Sequence, residues 1–75
     1  MTVSKEDVLR IVRLQLGKPD VRESDRLMED LGAESVDLAN IVATLEEKCD
    51  LRLAEADIAA VRTVGDLHAL VHRQA

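Results

Sequence analysis

Apolar residues fall at helical spacing in three stretches of the chain. Val8, Leu9, Ile11, Val12 and Leu16 form the first stripe, the i, i+3, i+4 recurrence that lays one face of a helix on a core. Ser4, with Asp7 three residues on, supplies an N-cap and an acidic first turn. Gly17 and Pro19 end the segment. Leu38, Ile41, Val42, Leu45 and Cys49 make the second and most continuous stripe, predicting a helix that begins near Ser35. Val64, Leu67, Leu70 and Val71 make the third, opened by Thr63 and Asp66 in the same capping relation. The alanine-rich stretch from Ala54 to Ala60 predicts a helical turn or two. Between the first two stripes, residues 18–34 are charged and nearly aperiodic, a long ordered loop with Leu27, Met28 and Leu31 as anchors on the core. Loops of that length in compact domains tend to be functional. With no alternating pattern and no repeat, the expectation is an all-α fold. It is a small four-helix bundle of three main helices and one short one, forming a single domain over residues 1–75.

Composition narrows the function. A chain of 75 residues has one small core, burying roughly 60% of the surface of its unfolded form, so a self-contained enzyme with a deep cleft is not expected. One cysteine allows neither an internal disulfide nor a Cys-rich metal site and fits a reducing, cytoplasmic compartment. No apolar run approaches the ~20 residues of a membrane span, and Met1 is followed by mixed charge rather than a signal sequence. A net charge of -5 without any Phe, Trp or Tyr argues against nucleic acid, which calls for a basic footprint and stacking platforms. Basic proteins are the better-matched partners. The charge is also uneven, because residues 1–28 carry six Lys/Arg and five Asp/Glu, 29–50 carry one and seven, and 51–75 carry three and three. All of the negative excess therefore sits in one segment.

That segment holds the second helix. With its stripe facing the core, the opposite face presents Val36, Asn40, Ala43 and Glu47, flanked by Asp37, Thr44 and Glu46. A single exposed valine is ordinary. An apolar spot ringed by Glu34, Asp37 and Glu47 is also what a docking surface for a basic partner looks like. Ser35 has two readings as well. Taken alone it is better read as a helix cap, but a helix N-terminus also suits a phosphate ester through its free N–H groups and positive dipole end. Gly32 would keep the approach uncrowded. His68 and His72, four apart, lack a third ligand and read as a surface pair rather than a metal site. Cys49 reads as a buried, inert thiol. A serine hydrolase does not fit, because Val36 and Asp37 follow Ser35 where a nucleophile elbow has glycine.

Leu31-Gly32-Ala33-Glu34-Ser35-Val36-Asp37 resembles the Leu-Gly-Ala-Asp-Ser-Leu-Asp signature of the acyl carrier proteins. Ser24-Asp25 and Glu29-Asp30-Leu31 resemble the family's preceding loop, Leu45-Glu46-Glu47 its acidic second helix, and Thr63-Val64-Gly65-Asp66-Leu67 the start of its last helix. The resemblance implies that Ser35 receives a 4′-phosphopantetheine arm from coenzyme A through a separate phosphopantetheinyl transferase. The arm's thiol would carry acyl groups as thioesters in fatty acid, polyketide or related biosynthesis. It further implies a monomer docking to acyl-loading, ketosynthase-type or acyltransferase enzymes with basic patches. Glu34, Asp37, Glu46 and Glu47 would supply the acidic face, and Val36 and Ala43 its apolar contact. Exposed ion pairs of roughly 0 to 1 kcal/mol each would speed and orient encounter yet allow release.

The chain departs from the family at several places. Glu34 and Val36 replace the usual Asp and Leu, Asn40 stands where an acid is common, Cys49 where an aromatic is common, and the proline often found near Ala54 is absent. These departures point to a specialised carrier. Two alternatives are an unmodified acidic helical interaction module and an aminoacyl or peptidyl carrier. The latter usually has a second glycine and a His or Asp before the serine, where this chain has Ala33-Glu34.

Overall fold

The computed structural model describes residues 3–74, so the expectation drawn at Met1 lies outside it. Helix α1 spans Lys5–Leu16, α2 Ser35–Cys49, α3 Glu55–Ala59 and α4 Val64–Gln74. The fold is the small helical bundle that the three stripes imply. Helix α1 packs against both α2 and α4. Between them lie Val8, Ile11 and Val12 of α1, Ile41, Val42 and Leu45 of α2, and Val64, Leu67, Leu70 and Val71 of α4. This core is wholly aliphatic, and no polar or charged residue is buried among the described residues.

Helix ends are closed by local chemistry. The Asp7 backbone N–H donates to Ser4 Oγ at 3.1 Å and the Ser4 N–H donates to Asp7 Oδ2 at 3.3 Å, a reciprocal box. Gly17 ends α1 in the left-handed region at φ 64°, where only glycine is free of steric cost. Thr63 and Asp66 form the corresponding box at α4, with the Asp66 N–H on Thr63 Oγ1 at 3.0 Å and the Thr63 N–H on Asp66 Oδ2 at 3.1 Å. Helix α2 ends at Asp50, which takes φ 52°, a conformation that Asp tolerates better than most residues.

The long loop is ordered because its backbone is bonded to the start of α4. Leu27 N–H donates to the Arg62 carbonyl at 2.9 Å, Val64 N–H to Asp25 at 3.1 Å, and Gly65 N–H to Glu23 at 2.9 Å. Arg26 and Thr63 form a single antiparallel bridge in this seam. Side chains reinforce it: Arg26 pairs with Asp30 at 3.1 Å, and Lys5 pairs with Glu23 at 2.7 Å. Val21, Leu27, Leu31 and Ala33 drop from the loop into the core. Met28, expected as a third anchor, is instead 48% exposed, because it lies in the turn that Leu27 and Leu31 pin from either side. Cys49, expected to be buried, is half-buried at the edge of the core.

Candidate functional site

Three residues set the direction in which α2 starts. Ala33 is buried, and its N–H donates to the Leu27 carbonyl at 2.9 Å. Gly32 turns the chain at φ 70°, which few side-chain-bearing residues accept. Glu34 then extends at φ -97°, ψ 171° and occupies the cap position. Its N–H donates to Asp37 Oδ2 at 2.9 Å, and its carbonyl accepts the Leu38 N–H at 3.0 Å. Ser35 is consequently the first residue of the helix rather than its cap, and it is exposed. The capping reading of the serine is thereby corrected. Asp37 and Glu34 close the helix end, and no hydrogen bond among the described residues engages the Ser35 hydroxyl. That hydroxyl stands at the positive end of a 15-residue helix, where unpaired N–H groups favour an anion.

The acidic face divides on inspection. Glu34, Val36, Ala43 and Glu47 are exposed, with Val36 showing 62% of its surface. Asp37 is half-buried at the cap. Glu46, also half-buried, points its Oε2 at the Leu53 N–H, 2.8 Å away, and so holds the link between α2 and α3. Two of the four acids assigned to docking thus have work inside the molecule. The segment's negative excess is also redistributed. Arg26 pairs with Glu29 at 3.6 Å as well as with Asp30, leaving the uncompensated charge on α2. The Arg26 guanidinium beside Asp30, through its hydrogen bonds, holds that carboxyl below the usual carboxylate range.

An apolar hollow opens beside Ser35. Ser35, Leu38, Ala39 and Val42 of α2 face Glu55, Ile58 and Ala59 of α3 across about 330 Å³. Sequence reasoning missed it. Its signal is the pair of alanines, Ala39 and Ala59, which leave space where two helices approach. A wider polar depression of about 620 Å³, lined by Arg22, Glu23, Ser24, Thr63, Gly65 and Asp66, lies on the seam between loop and α4. It contains no residue of the Ser35 site. His68 and His72 lie with ring centroids 6.0 Å apart. Among the described residues, no three His, Cys, Asp or Glu side chains converge as a metal site would require, and no helix is long and apolar enough to cross a membrane.

A free hydroxyl on a helix N-terminus, next to an apolar hollow, fits a protein that bears a covalently attached group. The comparisons agree with that class. The family profile described as "Phosphopantetheine attachment site" matches residues 6–71. The acyl carrier protein of Chlamydia muridarum is 45% identical over 65 residues, covering 84% of each chain. That of Sulfurovum sp. is 38% identical over 63 residues, covering 81% of this chain and 84% of its own. Among solved structures, a protein assigned as an acyl carrier protein from Mycobacterium tuberculosis superposes with a TM-score of 0.85 at 25% identity, over 89% of this chain and 92% of its own. The oxytetracycline acyl carrier protein shares the fold, with a TM-score of 0.78 over 99% of this chain and 83% of its own. The chain belongs to the phosphopantetheine-bearing acyl carrier protein family, whose members are carriers and not enzymes.

Proposed function

We propose that Ser35 is the attachment residue and that the whole chain acts as one carrier domain. The observation that carries this is the exposed, unengaged Ser35 hydroxyl at the first turn of α2, at the mouth of the α2–α3 hollow. No His neighbours it in sequence, so its activation as a nucleophile falls to a phosphopantetheinyl transferase. Bound there, 4′-phosphopantetheine supplies a terminal thiol that holds an acyl group as a thioester. The residues of this chain do the rest. The α2 N-terminus stabilises the phosphodiester anion, Gly32 keeps the approach open, and Leu38, Ala39, Val42 and Ile58 shield apolar cargo lying along the hollow.

Docking to basic patches on loading, ketosynthase-type or acyltransferase enzymes falls to Glu34, Val36, Ala43 and Glu47, which face outward. Asp37 and Glu46 add charge while serving the fold. The carrier works as a cytoplasmic monomer in fatty acid, polyketide or related biosynthesis, and its departures at Glu34, Val36, Asn40 and Cys49 favour a specialised role. Incubation with coenzyme A and a broad-specificity phosphopantetheinyl transferase, followed by intact-mass measurement, tests the assignment. One arm is expected on the native chain and none on Ser35→Ala. No gain on the native chain, where a control carrier is modified, would overturn it in favour of an unmodified interaction module.

A further inference from the structure

Leu14 on α1 shows 77% of its surface, more than Val36 or Met28, and the carrier reading gives it no work. Its surroundings are basic. Residues 8–19 contain Arg10, Arg13 and Lys18 and no acid, and Lys18 is turned back over the end of α1 by its N–H bond to the Arg13 carbonyl at 3.1 Å. Arg10 leans on Asp7 at 3.1 Å and Arg13 on Glu6 at 3.2 Å, exposed pairs of roughly 0 to 1 kcal/mol each that another carboxylate can replace. Lys18 has no ion pair within 4.0 Å among the described residues. The outer face of α2 is its counterpart in opposite sign. Val36 lies in a row with Asn40, Ala43 and Glu47, all exposed, with Glu34 at the near end, in a segment of seven acids and one lysine. Neither Glu34 nor Glu47 has an ion pair within 4.0 Å among the described residues. Each face thus offers one exposed aliphatic side chain bordered by charge, and the charges are complementary. They cannot meet within one molecule, because α1 and α2 pack through Val8, Ile11 and Val12 on one side and Ile41, Val42 and Leu45 on the other. Their meeting needs two copies.

We propose that the α1 face around Leu14 docks a second copy of this chain, through the Val36 face of that copy's α2. Leu14 and Val36 supply the apolar centre. Arg10 and Lys18 meet Glu34 and Glu47 at the rim, where charge sets orientation and rate more than affinity. The contact is heterologous, so each joined pair keeps one α1 face and one α2 face open. A patch with one aliphatic anchor on either side belongs with transient interfaces, with a dissociation constant on the order of 1 mM, and the dilute chain is a monomer. The contact uses neither the Ser35 hydroxyl nor the hollow beside it, so it stands or falls separately from the carrier reading.

The test follows the isotope-labelled full chain by two-dimensional NMR, with its intact mass recorded first to fix the state of Ser35, on dilution about a hundredfold from the millimolar range. Amide signals of Arg10, Leu14 and Lys18 should move together with those of Val36, Ala43 and Glu47. Lys18→Glu should weaken the self-contact about two- to fivefold, the range an exposed ion pair supports. A labelled Leu14→Ser/Lys18→Glu variant, whose α2 is intact, is then mixed with an unlabelled Val36→Ser/Glu47→Lys variant, whose α1 is intact. Neither should self-associate alone, and mixing should restore the shifts on α2 of the labelled chain only. All four positions are exposed, and circular dichroism checks the helix of each variant; if a double variant unfolds, the single Lys18→Glu carries the test. Signals indifferent to dilution, movement of one face without the other, or no recovery on mixing would overturn the proposal. So would a Leu14 face that answers to phosphatidylglycerol vesicles and not to a second copy.

Discussion

The α1–α4 side of the molecule and the α2–α3 side are built to different standards. On the first, Val8, Val12, Val64, Leu67 and Val71 have no exposed surface, both helices open with closed capping boxes, and the long loop is bonded to α4 through its backbone. On the second, α3 has five residues, none buried, and begins at Ala54 without a side-chain cap. The apolar hollow beside Ser35 lies on this side. The contrast separates two jobs. A tightly packed frame fixes the direction of α2 and hence of Ser35, and a lightly held short helix borders the apolar hollow beside it. Elements with few buried contacts open at the lowest free energy, which is what a carrier that must release its cargo requires of α3.

Truncating each side should break the comparison most visibly. Leu67→Ala is expected to lose about 2–5 kcal/mol, the range for a fully buried leucine. Ile58→Ala on α3, half-buried to begin with, is expected to lose about 1 kcal/mol because less apolar surface returns to water. At roughly 4–8 °C per kcal/mol for a domain of this size, thermal melts by circular dichroism will separate the two, and equal losses would erase the distinction. Gly65→Ala probes the seam. Alanine ordinarily gains about 1 kcal/mol over glycine inside a helix. Here its β-carbon would lie 2.8 Å from Glu23 Cγ and 3.3 Å from the Glu23 carbonyl oxygen. A net loss of about 1 kcal/mol by urea denaturation is expected from that overpacking, and a gain would show the seam to be loose.

Acid sharpens the same contrast. Asp7 is held below its usual range by Ser4, Asp30 by Arg26, and Asp66 by the Thr63 and Arg62 N–H groups. All three lie in the frame or its loop. Their carboxyls bind protons less readily folded than unfolded, where the value is near 3.9. The stability they confer is therefore full above about pH 4 and is lost as pH falls through the lowered folded values. Melting temperature should decline below pH 4, less steeply in Asp66→Asn, and a steady rise on acidification would contradict the assignment. The smallest effect belongs to the other side. Because α2 carries uncompensated acids, added salt or millimolar magnesium should raise the melting temperature by a few degrees through screening. No change or a fall would mean that the acids do not repel one another in the folded chain.

Much of this was legible in the residues. The stripes of α1, α2 and α4 and the boxes at Ser4–Asp7 and Thr63–Asp66 are local relations, fixed within a turn of chain, and they appear as read. Met28 misled because an aperiodic stretch gives no face, so nothing nearby says which of Leu27, Met28 and Leu31 turns outward. Ser35 misled for a different reason: Glu34 is a weak capping residue by type, and only the backbone geometry shows that it takes the cap while Asp37 reaches back to it. Glu46 looks like one more surface acid until the fold brings the Leu53 N–H to it. The seam from loop to α4 was invisible, since backbone groups carry no sequence signature. The hollow beside Ser35 likewise depends on how α3 settles against α2.

That seam has a kinetic side. Glu23 meets Gly65, Asp25 meets Val64 and Leu27 meets Arg62, pairings across about half the chain, and the packing of α1 on α4 joins residues still farther apart. Closing so long a loop costs entropy before any contact repays it, so these bonds are expected to follow the local turns of helix. A chain short of that step lacks the bonds that tie residues 23–27 to the start of α4, and with them the loop that leads into Ser35. On the reading of Ser35 as the attachment residue, a transferase that needs the start of α2 held in one direction would thereby also report completed folding.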